Sequence, residues 1–273
     1  MSKIEVTSPF DGRVVGTVLY GSVKEVQTAL DLAQATFLDH KNALPTYKRV
    51  EILENVVKIM SSQIDELTKL CASEGGKPWV DSQVEVHRAI NGVKLAIEAL
   101  GTREGKQIAM GHTASSANRM AYTFKEPIGV VAAISAFNHP LNLAIHQVIP
   151  AIAVGCSVII KPATQTPMSA IRLVEILEEA GLPKGWAQAV VCDREGGELL
   201  ATSAKVNALT FIGSGKVGWY LNSKVAPGTR VALEHGGVAP VIVEADANID
   251  ELIPSIGKGG FYHAGQVCVS VQR

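Results

Sequence analysis

The sequence predicts an α/β fold in which a doubly wound, mostly parallel sheet follows a helical segment and a β-hairpin. Two observations predict the sheet: short apolar segments recur between residues 129 and 244, and helical segments separate most of them. Parallel strands need crossover connections, and crossover helices cover both faces of the sheet. We expect strands at residues 129–134, 157–160, 189–192, 208–211, 230–234 and 240–244, with helices at residues 141–154, 167–180, 196–203 and 215–225.

The first hundred residues predict helices. Apolar residues recur at helical spacing over residues 22–40, 45–73 and 80–100, and a glycine pair and a proline end the second helix. Residues 106–126 instead predict two short strands around a turn of small residues. We therefore expect a protruding hairpin between the helices and the sheet.

The chain is expected to contain one domain and the start of another. Residues 1–248 hold the predicted sheet and the helices before it, and residues 249–273 begin the second unit. That last stretch starts as a helix and ends in an apolar strand without a closing element, which predicts a truncated chain. A strand without its neighbours would leave an unpaired edge.

Composition excludes several classes of protein. The 273 residues are 47% hydrophobic and carry a net charge of -1, with no block of basic residues, so a nucleic-acid partner is not expected. No apolar stretch approaches the roughly 20 residues that span a bilayer, and the charged opening does not resemble a signal peptide. We expect a cytoplasmic protein without a membrane segment.

The four cysteines are scattered singly, without CxxC or metal-ligand spacing. This argues against disulfides and predicts no metal site. Cys71, Cys156 and Cys192 lie in apolar or helical contexts and are expected in the core. Cys268 follows small residues after a helix, so it is either another buried thiol or a nucleophile stabilised by nearby N–H groups.

Sheets of this kind bind ligands at the carboxyl ends of their strands. After the first strand, Asn138 either caps the next helix or faces a ligand. After the second, Lys161 either extends to water or meets a ligand. After the fifth, Glu234 beside two glycines is either a solvated charge or a catalytic base.

The loop after the fourth strand has the sequence GSGKVG at residues 213–218. Its glycines would let the backbone approach a phosphate, and the free N–H groups of the following helix would receive the negative charge. It formally matches GxGxxG, but a Rossmann fingerprint occupies the first βα turn and three strands precede this one. Glu234 is therefore not interpreted as a ribose-binding acid.

Five motifs in order, AFNHPLNL, IIKPATQTP, FIGSGKVG, LEHGGVAPVIV and FYHAGQVCVS, resemble the signatures of the aldehyde dehydrogenase superfamily. The resemblance runs from SPFDG at residues 8–12 to the last residue. It implies a Rossmann-like domain that binds NAD or NADP, a small aldehyde as substrate, and a homo-oligomer in the full-length form.

The resemblance implies catalytic roles. Cys268 would attack the aldehyde carbonyl, and the Asn138 amide with the Cys268 backbone N–H would hold the oxyanion. After hydride transfer to the nicotinamide, Glu234 would activate water to hydrolyse the thioester. Lys161 would contact the adenosine ribose and Ser214 would face the pyrophosphate. The other expected cofactor contacts are Ser135, Phe137, Thr164, Gly213, Val217 and Gly236.

The chain departs from the family pattern at several positions. Ile212 stands for the threonine of FTGS, and His235 for the leucine of ELGG. Thr164 stands where strongly NAD-preferring members often have a glutamate that would repel a 2′-phosphate. The departure at Thr164 predicts use of both NAD and NADP.

Two residues suggest the substrate. His139 stands where phenylalanine is common, and Arg88 lies in a helix expected to border the substrate tunnel. They could receive an anionic aldehyde such as phosphonoacetaldehyde or sulfoacetaldehyde, or lactaldehyde. Alternatively, Arg88 forms a surface ion pair and His139 only packs. At the level of the whole chain, the alternative to a dehydrogenase is a fragment that only binds a dinucleotide.

Overall fold

The computed structural model describes residues 2–273. The chain opens with a hairpin of two antiparallel strands, β1 (Ser2–Thr7) and β2 (Val14–Tyr20). The prediction that the first hundred residues are all helical is therefore wrong. Val6 and Val18 bury their side chains against Val191. The alternation that places them inward covers only a few residues, too few to stand out beside the long helical repeats that follow.

The next elements are the predicted helices. Ser22 caps the first of them by accepting a hydrogen bond from the backbone N–H of Lys24 at 3.2 Å, and the Glu25 carboxylate accepts from the Ser22 N–H at 2.7 Å. The helix expected over residues 45–73 is interrupted at Gln63, whose backbone angles (φ -117°, ψ 23°) are not helical. In residues 2–273, no helix has the length and apolar character needed to cross a membrane. The helices are α1 (Val23–Leu38), α2 (Thr46–Ser62), α3 (Ile64–Gly75) and α4 (Trp79–Gly101).

The expected hairpin follows α4. Strand β3 (Gln107–Ile108) pairs in antiparallel fashion with β4 (Ala121–Tyr122). Each strand has only two residues, and a short 3₁₀ turn lies between them. The predicted hairpin is confirmed, with shorter strands than the sequence pattern indicates.

The remainder of the described chain alternates strands and helices. The strands form a five-stranded sheet in the order β7-β6-β5-β8-β9, and every neighbouring pair is parallel. The elements are β5 (Val130–Ile134), α5 (Pro140–Val154), β6 (Ser157–Lys161), α6 (Met168–Glu179), β7 (Ala187–Ala189), α7 (Arg194–Thr202), β8 (Val206–Gly213), α8 (Gly215–Asn222), β9 (Arg230–His235) and α9 (Ile249–Phe261).

Helices cover both faces of this sheet. On β5, Val131 and Ala133 pack into a core shared with α2, α4, α5 and α6, whereas Val130 and Ala132 pack on the opposite side against α1 and α7. This confirms the doubly wound arrangement. Strands β6 and β8 lie on opposite sides of β5. The order in which strands are added to the sheet therefore reverses between β5 and β8. Ligands of open α/β sheets bind at such a switch point.

Two strand predictions are wrong: one strand does not form, and the other lies at a different position. The expected strand at residues 240–244 does not form: these residues are exposed and pair with no other strand of the described chain, and Ala239 before them has a positive φ of 42°. Val241 instead donates its N–H to the carbonyl of Arg273 at 2.8 Å. The strand expected at residues 189–192 lies earlier, at Ala187–Ala189.

The last part of the chain differs from the expected apolar strand. Helix α9 is confirmed, but no strand follows it in the described residues. Val271 donates its N–H to the carbonyl of Gly259 at 3.0 Å, so the closing segment lies against α9. The boundary at residue 248 between two domains stays a prediction.

Candidate active site

The loops after β5 and β6 lie together at the carboxyl edge of the sheet. The Ser135 N–H donates to the Lys161 carbonyl at 3.0 Å, and the Thr166 hydroxyl donates to the Phe137 carbonyl at 3.0 Å. Ser135 is buried, and its hydroxyl has no hydrogen-bond partner among the described residues. The first two loops singled out by the sequence therefore form one continuous wall.

Asn138 does not cap helix α5, so that alternative is wrong. The N-cap residue is His139, and it makes no capping hydrogen bond through its side chain. The first free N–H groups of the helix, those of Leu141 and Asn142, donate instead to Glu85 Oε1 at 2.9 and 3.0 Å. Since Glu85 does the capping, the half-buried Asn138 side chain is not needed for it.

A second buried carboxylate caps the next helix. Glu74 accepts hydrogen bonds from the backbone N–H groups of Met168 at 2.8 Å and Ser169 at 2.9 Å. Burial raises the pKa of Glu74 to about 7, although these hydrogen bonds act in the opposite direction. Sequence reasoning missed both acids. The available signal was a glutamate on the buried, apolar face of a helix: Glu85 lies on the same face of α4 as the buried Val86 and Ala89.

The loop after β8 leads directly into helix α8. Ser214 is its exposed N-cap, and the first intrahelical N–H, that of Val217, donates back to Ser214 at 3.1 Å. The N–H groups of Gly215 and Lys216 precede that bond, at the positive end of the helix dipole. This arrangement can receive an anionic group.

Two glycines of this loop are required by the protein itself. A Cβ at Gly213 would lie 2.7 Å from the ring of Phe211, and one at Gly218 would lie 2.2 Å from Nε2 of His235. His235 packs edge-on against Trp219, with 5.5 Å between ring centroids. The sequence interpretation that the glycines serve approach to a phosphate therefore misses a reason that the structure provides.

The loop after β9 lies beside the cysteine segment. Glu234 is exposed and pairs with Ile212 of β8 in the strand register. Three residues further on, the Gly237 N–H donates to the Cys268 carbonyl at 3.2 Å. Gln272 then donates through Nε2 to the Gly237 carbonyl at 3.3 Å. The exposed Gly236 lies between Glu234 and this contact.

The burial of the four cysteines agrees with the prediction from the sequence. Cys71, Cys156 and Cys192 are buried, whereas Cys268 is exposed. An exposed thiol is available to a reactant, which the other three are not.

The segment that precedes Cys268 lies beside the Asn138 loop. The rings of His139 and His263 approach to 4.0 Å between centroids, and these residues lie one position after Asn138 and five before Cys268. A groove of about 490 Å³ has among its lining residues Phe137, Thr164 and Gln266. The loops after β5 and β6 and the cysteine segment therefore meet.

Lys161 occupies one flank of this edge. Its partly buried side chain packs over Gly197, and Nζ donates to the Pro162 carbonyl at 3.2 Å. Burial lowers the pKa of Lys161, while Cys192 and Asp193 act in the opposite direction. The ammonium is thus held near the strand end rather than extended into water.

His139 and His263 are held as neutral imidazoles. Burial lowers the pKa of His139 to about 3, and the positive charges of Lys77 and Arg88 add to the effect. Burial likewise lowers the pKa of His263 to about 4. Arg88 is exposed on α4 and lies near enough to both rings to influence them.

Glu85, His139 and His263 offer ligand atoms that all lie within 4.8 Å of one another. A metal ion at this place would face the ammonium of Lys77, which is already hydrogen-bonded to Glu85. The other Glu85 oxygen accepts two backbone N–H groups. The donor set is therefore poorly suited to a cation, and the expectation that there is no metal site stays a prediction.

A doubly wound parallel sheet with free helix N–H groups at its carboxyl edge is typical of α/β proteins that bind nucleotide cofactors there. The chain belongs to the aldehyde dehydrogenase family, whose sequence profile matches residues 1–273. The resemblance and the fold class expected from the sequence are thereby confirmed.

Individual relatives extend beyond this chain. The 3-sulfolactaldehyde dehydrogenase of Priestia aryabhattai is 38% identical over 272 residues, which cover 99% of this chain and 56% of the relative. Aldehyde dehydrogenase 21 from Physcomitrella patens, in complex with the reaction product succinate, has a TM-score of 0.91 at 35% identity and covers 100% of this chain and 56% of its own. Glyceraldehyde-3-phosphate dehydrogenase GapN from Methanocaldococcus jannaschii, complexed with NADP, has a TM-score of 0.90 at 36% identity. The match covers 98% of this chain and 58% of that protein's chain. The chain spans a little over half the length of these proteins.

Proposed function

We propose that this chain carries the dinucleotide site and the nucleophilic thiol of an NAD(P)-dependent aldehyde dehydrogenase, which oxidises an aldehyde to a carboxylic acid. The observation that carries the proposal is the hydrogen bond from Gly237 to Cys268, which places the exposed thiol's segment beside the loop of Glu234. His139, in the Asn138 loop, packs on His263, in the segment that leads to Cys268, so this loop also lies beside the cysteine segment.

These residues supply the groups that the reaction needs. The Cys268 thiolate attacks the aldehyde carbon and forms a thiohemiacetal. The side-chain amide of Asn138 and the backbone N–H of Cys268 donate to the developing oxyanion, and such donors are worth roughly 3–4 kcal/mol each in other acyl-transfer enzymes. When bound, NAD or NADP would accept the hydride from the thiohemiacetal carbon, and the loss of that hydride leaves a thioester on Cys268. Glu234 then takes a proton from the water that hydrolyses the thioester, which restores the thiol.

The carboxyl edge of the sheet fits a dinucleotide. The N–H groups at the start of α8, after Ser214, can hold a diphosphate, since they are not used within the helix. Lys161 would contact a ribose and Thr164 would lie near its 2′ position, with the remaining contacts from Ser135, Phe137, Gly213, Val217 and Gly236. A relative whose structure contains NADP supports use of the phosphorylated cofactor as well as NAD.

An anionic aldehyde is the proposed substrate class. Arg88 is an exposed cation on α4, and its charge contributes to lowering the pKa of the buried His139. Relatives named for 3-sulfolactaldehyde, or bound to succinate, also handle small anions. The proposal includes a cytoplasmic setting and a homo-oligomer of the full-length form, and no nucleic-acid partner.

The test follows formation of reduced cofactor by this chain with 3-sulfolactaldehyde, succinate semialdehyde and lactaldehyde, using NAD and NADP in turn. Cys268→Ser should abolish turnover, whereas Cys156→Ala, at a buried thiol outside the site, should keep it. Turnover that survives Cys268→Ser would contradict the proposal. Cofactor binding without any turnover would favour the alternative of a dinucleotide-binding module.

A further inference from the structure

We propose that Lys77 and Glu85 are positioning residues for the reaction: their buried ion pair holds the Asn138 loop so that the amide faces the carbonyl under attack. The proposal rests on the proposed function, because it assigns to Asn138 the oxyanion contact. Neither Lys77 nor Glu85 was singled out by the sequence motifs, and neither touches the reacting atoms in the mechanism above.

The pair binds the loop at Asn138 and at the start of the helix that follows it. The Lys77 ammonium donates to the carbonyl of Asn138 itself at 3.0 Å and also to the second oxygen of Glu85. Glu85 Oε1 accepts the N–H groups of Leu141 and Asn142. One cluster therefore holds the peptide that carries the amide and the first turn of the helix that follows it.

A third contact completes the support. The Phe137 carbonyl, one residue before Asn138, accepts a hydrogen bond from the Thr166 hydroxyl at 3.0 Å. The backbone is thus held at Phe137, Asn138 and Leu141, which restricts the positions open to the Asn138 side chain. Donors that are fixed in advance stabilise a developing charge more than donors that must reorganise.

The burial of the Lys77–Glu85 ion pair argues against a role in stability alone. Both side chains are fully shielded from solvent. A buried ion pair loses the hydration of both charges, and apolar residues of similar volume can often replace it without loss of stability. Here each charge instead has additional hydrogen bonds directed at the Asn138 loop, which ties the pair to that loop in particular.

The first experiment requires no turnover. Amide hydrogen exchange is measured by NMR on the chain and on Lys77→Met, with Lys94→Met, an exposed position on α4, as the control. The expected result is faster exchange at Leu141 and Asn142 and a shifted Asn138 side-chain amide signal, with Val148 and Ile149 in the middle of α5 unchanged. Unchanged exchange and an unchanged Asn138 signal would overturn the proposal.

A variant that loses one charge could unfold, so Lys77→Met is combined with Glu85→Met. The double variant leaves no unpaired buried charge and is expected to fold. The double variant should show the same faster amide exchange at Leu141 and Asn142. Protection of that turn equal to wild type would overturn the proposal.

The second experiment tests whether the pair acts through Asn138. Since a misplacement of about 1 Å can cost about 10²-fold, Lys77→Met should lower kcat by roughly 10- to 100-fold, while KM for the aldehyde changes less than about threefold. In an Asn138→Ala background the same change should lower kcat by less than about twofold, because coupled residues are not additive. Glu98→Gln, exposed on α4, is the control.

The two proposals fail in different ways. Full additivity of Lys77→Met and Asn138→Ala would overturn the positioning role while leaving the dehydrogenase intact. If Asn138→Ala itself left kcat unchanged, the proposed function would lose its oxyanion donor. The exchange data would then still report whether the pair holds the loop.

Discussion

The backbone N–H of Gly237 donates a 3.2 Å hydrogen bond to the carbonyl oxygen of Cys268. The bond joins the end of β9 to the segment of the exposed thiol, across a long stretch of sequence that includes α9. The bond therefore brings the backbone just after Glu234 next to the segment that carries Cys268.

Replacing Glu234 with glutamine should separate the two halves of the reaction. Without the base, the thioester should accumulate, so about one equivalent of reduced cofactor forms rapidly and steady turnover falls by about 10²-fold or more. Stopped-flow absorbance of the reduced cofactor measures both phases. Glu244→Gln, another exposed carboxylate ten residues on, should behave like wild type. An equal loss of the rapid phase and the steady rate in Glu234→Gln would show that this carboxylate is not the deacylating base.

Thr164 should determine tolerance of the 2′-phosphate. The side chain is partly exposed and lines the groove beside Phe137. Thr164→Glu places a negative charge there and should weaken NADP binding by about tenfold, or about 1.4 kcal/mol, with little effect on NAD. Dissociation constants from fluorescence titration measure this without turnover. Thr164→Gln controls for size, and a wild-type chain that already binds NADP far more weakly than NAD would contradict the prediction.

Arg88 should matter only for anionic aldehydes. Its charge lies near His139, and a hydrogen bond to a charged group contributes about 1.5–3 kcal/mol. Arg88→Leu should therefore raise KM for 3-sulfolactaldehyde by about tenfold and leave KM for lactaldehyde unchanged. Lys94→Leu on the same helix serves as the control. Equal increases for both aldehydes would point to a general effect on packing.

Much of the fold could be predicted because its repeats are long. The alternation of apolar strands with helices after residue 129 extends over many elements, and the structure has the parallel sheet that it predicts. Shorter signals failed. The β1–β2 hairpin rests on a few alternating residues. The apolar run at residues 240–244 predicts a strand, but in the described structure it is exposed and has no neighbouring strand to pair with.

The motifs of the sequence mark the loops that form the candidate site. Cys268, Asn138 and Glu234 lie on loops that the structure brings together through Gly237, His139 and His263. The residues behind them were not found, because no motif marks them. Glu85 and Glu74 act through helix N–H groups distant in sequence, and their partners are known only once the helices pack.

Glu74 should make the stability of the protein depend on pH. Its pKa rises from 4.5 to about 7 on folding, because burial disfavours the charged carboxylate. Between these values the folded protein binds a proton that the unfolded chain has lost. Its stabilising contribution is therefore fully present below about pH 4.5 and is lost as the pH rises through 7. Between about pH 4.5 and a pH well above 7, the free energy of unfolding falls by an amount on the order of 3 kcal/mol.

Urea unfolding of wild type and Glu74→Gln from pH 4.5 to 8 tests this. The buried histidines act with the opposite sign: their lowered pKa values cost stability as the pH falls below 6.5 toward 4. Because both proteins contain His139 and His263, the difference between them isolates Glu74. Wild type should lose free energy of unfolding relative to Glu74→Gln as the pH rises, whereas Glu66→Gln, exposed in the first turn of α3, should keep a constant difference from wild type. A constant difference for Glu74→Gln as well would mean that folding does not raise the pKa of this carboxyl.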